Sequence, residues 1–80
     1  MRKLSQFAPR RRVLKAASIE FGRSAIDCVV RNISNTGAAL DVNSPLYFPD
    51  RFTLVVHRDS LRRPCHIVWR RQNRIGVAFD

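Results

Sequence analysis

Six short stretches of this chain alternate apolar with polar residues at every second position. In residues 13–21, VLKAASIEF, one parity carries Val13, Ala17, Ile19 and Phe21. Residues 26–33, IDCVVRNI, set Ile26, Cys28 and Val30 against Asp27 and Arg31. Residues 37–42, GAALDV, put Leu40 and Val42 opposite Asp41, and residues 51–57, RFTLVVH, put Phe52, Leu54 and Val56 opposite Thr53 and His57. The last two are residues 64–70, PCHIVWR, and 74–80, RIGVAFD, with Ile75, Val77 and Phe79 on one parity. In the former, Trp69 shares the parity of Cys65 and Ile67, which favours a core position over the alternative, an exposed ring for base stacking. Such alternation marks strands with one buried face. Turn-forming residues fall between the stretches: Gly22-Arg23-Ser24, Ser34-Asn35-Thr36, Asn43 to Pro49, Asp59-Ser60 and Gln72-Asn73. No window carries the 3.6-residue repeat of an amphipathic helix. Short antiparallel strands hide their edges by closing on themselves, so the pattern predicts an all-β fold, a small six-stranded antiparallel barrel. The longest link, SPLYFPD at 44–50, is expected to cross one end of it.

Length and charge sharpen this picture. Eighty residues make one domain, and a chain of that size buries only about 60% of its unfolded surface. There is no room for a deep catalytic cavity. The formal net charge is +9, and thirteen of the fifteen cations are arginine. Guanidinium groups grip phosphate in two places and stack on aromatic faces. Five cations and no anion lie in residues 1–12, MRKLSQFAPRRR, which show neither helical nor strand period. We read 1–12 as a basic, flexible arm and 13–80 as the barrel. Cys28 and Cys65 sit apart inside apolar stretches, as buried reduced thiols of a cytosolic protein do, although one disulfide between them is the alternative. No run approaches 18 apolar residues and no signal-peptide core is present, so a cytoplasmic protein, or one module of a larger one, is expected.

Catalysis finds little support. Cys65 directly precedes His66, but neighbours in a strand point to opposite faces and do not converge. Two Cys and two His without zinc spacing make no metal site. The carboxylates at 20, 27, 41, 50, 59 and 80 form no acid–base pair, and no Gly-rich phosphate loop exists. Binding is better supported. PRRRVLK, 9–15, concentrates four cations before the first strand. RNISNTGAALDV, 31–42, carries more amide and hydroxyl residues than a hairpin requires. The cluster is either one wall of a pocket or a turn stabilised by Asn and Ser side chains that closes on a glycine. Phe7 and Phe48 are candidate anchors for the arm and for the long link.

The basic arm, the NISNTG stretch at 32–37 and the ending CHIVWRRQNRIGVAF at 65–79 together resemble a PilZ domain, from about Pro9 to Phe79. The resemblance implies a split six-stranded barrel that binds the bacterial second messenger cyclic di-GMP and has no enzymatic activity. The family's (D/N)xSxxG motif is matched by Asn32, Ser34 and Gly37. Its RxxxR motif is incomplete: four residues before Arg10 stands Gln6, and four after Arg11 stands Lys15. Arg10, Arg11 and Arg12 with Asn32, Ser34 and Gly37 are therefore the expected ligand-binding residues, with no metal and no cofactor beyond the ligand.

Guanidinium groups suit such a ligand, since guanine offers N7 and O6 to a two-point grip and its face to stacking. Asn32 carries a donor and an acceptor for a base edge. Ser34 adds a small hydroxyl. Gly37 either takes positive φ or admits close approach to the backbone. Two other readings stand beside this one: a degenerate PilZ-like adaptor that works through a protein partner, and a basic barrel that grips single-stranded nucleic acid.

Overall fold

The structure, a computed structural model, describes residues 11–43 and 47–80, and for Arg11 and Arg12 the backbone alone. Six strands run in chain order: β1 Arg11–Phe21, β2 Ser24–Ile33, β3 Gly37–Asp41, β4 Arg51–Val56, β5 Leu61–Arg71 and β6 Arg74–Phe79. They close into an all-antiparallel barrel in the order β1-β2-β3-β6-β5-β4, as the alternation pattern predicts. Strand β1 begins at Arg11, so the last two residues of the expected arm pair with β2: Arg11 opposite Ile33 and Arg12 opposite Asn32. The foremost part of that arm, with Arg10 and Phe7, lies outside the described residues.

The inward parity supplies the core. Ile19, Leu40 and Leu54 are fully buried, and Val30, Val56 and Cys65 nearly so. Among the described residues no polar or charged side chain is buried, so the side chains of the interior contribute through apolar burial and packing. Phe48, from the link before β4, is buried in the same cluster and meets Phe52 edge-on at 5.9 Å. Arg70 fastens the link from outside, bonding Asp50 at 2.7 Å with its guanidinium over the Phe48 ring. Phe48 thus ties the link to the core, and the described part of the link holds no helix. The one short helical piece among the described residues is a 3₁₀ turn, His57–Asp59, that joins β4 to β5.

Three register shifts interrupt the ladders, between Arg12 and Lys15 in β1, Val30 and Asn32 in β2, and Ile67 and Trp69 in β5. An inserted residue sends its successors to the other face. The shift in β5 corrects the expectation for Trp69. Ile67 faces Val77, Val68 is the added residue, and Trp69 lands opposite Gly76 on the outer wall, 42% exposed.

Candidate functional site

The site is best built from β2. Strict alternation continued past Val30 would aim Arg31 outward and Asn32 into the core. The bulge at Arg31 cancels one step, and consecutive residues Arg31 and Asn32 come to line one groove on the outer wall. The groove holds about 430 Å³ and is completed by Val13, Leu14 and Arg74, within the range of about 300–1,000 Å³ typical of ligand clefts. Asn32 is half-buried there and is held by contacts of its own. Leu14, at the β1 irregularity, is 73% exposed beside it.

Pairing partners extend the site around the wall. Arg12 lies opposite Asn32, Asn32 opposite Ala39, Ala39 opposite Gly76, and Gly76 opposite Trp69. This transverse row sets the backbone of Arg12 beside Asn32 at one side and Trp69 at the other, with two of the smallest residues between. The indole lies flat against Gly76, where a Cβ would come within 2.1 Å of Nε1. Arg71 stands over the same ring at 5.9 Å. Sequence reading assigns none of Trp69, Arg31 and Arg74 to the site, favouring core packing for Trp69 and a solvated hairpin flank for Arg74. Nothing in the local sequence marks either bulge, and Arg74 becomes part of the groove only through strand order.

Charge is organised by Asp41. Its carboxylate accepts from Arg74 Nε at 2.7 Å and lies 3.5 Å from Arg31 Nη1. Asp41 thus draws together two guanidiniums that both line the groove. A second, larger groove of about 750 Å³ adjoins the first and shares Arg74, with Val29, Asp41, Arg71 and Asn73 among its walls.

The rest of the matched motif serves the turn. The Ser34 backbone N–H donates to the Gly37 carbonyl at 2.8 Å. The Thr36 N–H donates to Ser34 Oγ at 3.2 Å, and the two hydroxyls lie 3.2 Å apart. Gly37 is buried with φ outside the positive region. A Cβ there would sit 2.2 Å from the Val77 carbonyl oxygen, so glycine is demanded by the β3–β6 approach. The structure therefore brings Arg12 and Asn32 together and gives Ser34 and Gly37 structural work. Arg10 lies outside the described residues, and Arg11 enters β1 one step from Arg12. Lys15, the cation four after Arg11, is drawn to Asp59 at 2.5 Å, toward the opposite flank of β1.

The residues weighed for catalysis stay apart. His57 Nε2 lies 3.1 Å from Ser18 Oγ, and His66 Nδ1 lies 2.7 Å from Asp80 Oδ1. Both cysteines are buried and free. Burial pushes the Cys28 thiol up to about 12, helped by the charge of Asp27. Burial likewise pushes Cys65 up to about 11, against a backbone hydrogen bond from Leu54. These are packing thiols, not nucleophiles. Among the described residues no group of three metal-ligating side chains converges, and no helix is long and apolar enough to cross a membrane.

Fold and groove together define a class, the small closed β-barrel domains that carry a basic cleft on the outer wall. A family model described as PilZ domain matches residues 6–80, nearly the whole chain. The chain belongs to the PilZ domain family, a family of binding and adaptor domains in signalling. A search of curated proteins finds no significant match.

Proposed function

We propose that this PilZ domain is a cytoplasmic receptor for cyclic di-GMP and passes ligand occupancy to a downstream protein. The observation that carries the reading is the pairing of Arg12 with Asn32, which joins the cation run to the (D/N)xSxxG turn at one point of the wall. In this reading Arg10, Arg11 and Arg12 hold the ligand's phosphates from one side. Asn32 meets a guanine edge, and Ser34 and Gly37 keep the turn in shape. The short side chain of Ala39 leaves room beside Asn32 for a flat base, with Trp69, whose indole covers Gly76, as its backstop. A base stacked on such an aromatic contributes about 1–3 kcal/mol.

The test is a titration with cyclic di-GMP, monitored by calorimetry and by the fluorescence of Trp69, the one tryptophan of the chain. Saturable heat with a change in Trp69 emission is expected, and cyclic di-AMP should give neither. Arg10→Ala, Arg11→Ala or Arg12→Ala should each weaken binding about tenfold or more, since a charge-assisted hydrogen bond contributes about 1.5–3 kcal/mol. No heat and no spectral change would instead favour the adaptor reading, which the incomplete RxxxR and the engagement of Lys15 by Asp59 support. Affinity that ignores base identity and falls steeply with salt would point to nucleic acid.

A further inference from the structure

We infer that the second anion grip of this domain comes from the barrel wall, through Arg31 and Arg74, rather than from the arm. The inference rests on the cyclic dinucleotide reading above and names residues which that reading does not use. A cyclic dinucleotide carries two phosphodiesters, each of which needs a cationic partner once it leaves water. The arm is short of one arginine: Gln6 stands four before Arg10, and Lys15 is turned away to Asp59.

The wall supplies what the arm lacks. Arg31 reaches the groove because the β2 bulge puts it on the same side as Asn32. Arg74 reaches it from the start of β6, across β3. Asp41 holds Arg74 by Nε at 2.7 Å. Its contact with Arg31 is the longer one, at 3.5 Å. Both arginines are close to half exposed, so these ion pairs are weakly held in water. A phosphodiester accepting from two guanidiniums can replace them. Arg74 also lines the adjoining groove that contains Arg71. A phosphate at Arg74 therefore sits where the two clefts meet, and the rest of the ligand extends over the β5–β6 hairpin.

Calorimetry with cyclic di-GMP on wild type, Arg31→Ala, Arg74→Ala and Arg74→Lys tests this, with Arg58→Ala as control. Arg58 is on the 3₁₀ turn and lines neither groove. Arg31→Ala and Arg74→Ala should each lose at least tenfold in affinity, Arg74→Lys should recover part of the loss, and Arg58→Ala should stay within about twofold. In the wild type, the ¹⁵N resonance of Arg74 Nε should shift on saturation. That readout decides the matter if Arg74→Ala fails to fold. Wild-type binding with unchanged affinity in the Arg31 and Arg74 variants overturns this inference alone. An equal loss in Arg58→Ala overturns it too, because the effect is then diffuse charge. Absence of binding by wild type overturns the nucleotide reading and this assignment together.

Discussion

Within one six-residue motif, three side chains do three different jobs. Gly37 is a packing requirement: the backbones of β3 and β6 approach so closely that a methyl group would strike the Val77 carbonyl. Gly37→Ala should cost roughly 1–3 kcal/mol, the usual penalty for overpacking a tight contact, measured by urea denaturation. Ser34 stabilises the turn through its hydroxyl. Asn32 is the residue aimed at the groove. Asn32→Ala should keep the melting profile close to wild type and weaken cyclic di-GMP about tenfold by calorimetry, the worth of one good hydrogen bond to a charged or polar partner. A collapsed melting temperature in Asn32→Ala would move that residue to the side of Gly37 and Ser34. Residue type was legible in the sequence for all three. Their division of labour was not, because it depends on what lies across the neighbouring strand.

At the scale of elements, the bulges decide which side chains meet the solvent. In β5 the added residue Val68 turns Trp69 outward onto Gly76. Period-2 reading placed Trp69 in the core because it carried the parity of Cys65 through an interruption that has no local signature. In β2 the same device places Arg31 beside Asn32. The Trp69 arrangement is directly checkable. Gly76→Ala puts a methyl group where the indole lies, and the obstacle is a movable ring rather than backbone. Trp69 emission should shift to the red while the barrel stays folded, since a half-exposed ring can swing into water. Unchanged emission would mean that the indole does not cover Gly76. The ion pairs that link strands across the wall, such as Arg62 with Glu20 and Arg51 with Asp80, are exposed and add little to stability.

The whole molecule is a closed apolar interior inside a strongly basic shell. Closure leaves no strand edge among the described residues, and Phe48 from the link before β4 adds its ring to the core. The two core thiols give this interior a pH dependence. Cys28 and Cys65 are raised to about 12 and about 11 from an ordinary 9.0. A group raised in the folded state contributes stability that is complete below its unfolded value and is lost as pH climbs toward the folded one. Stability should therefore fall from about pH 9 toward 11–12. Urea denaturation at about pH 8 and about pH 10.5 should show a smaller decline in Cys28→Ala than in wild type. Equal declines would mean that the thiolate forms without unfolding.

Alternation of apolar and polar residues, turn chemistry and an excess of arginine determined a six-stranded β-barrel with a basic face, because side-chain period and burial are local properties that a linear pattern records. The Asn-Ser-Gly spacing likewise marked the turn from the sequence alone. Only the tertiary structure decided which residues form the groove. Arg31 and Asn32 share a wall because β2 gains one residue against β3, and Arg74 joins them because β6 pairs beside β3. Trp69 stands outside because β5 gains one residue against β6. Each of these outcomes depends on the register between strands distant in the chain, and register is set by how whole strands pack, not by any residue's own preference.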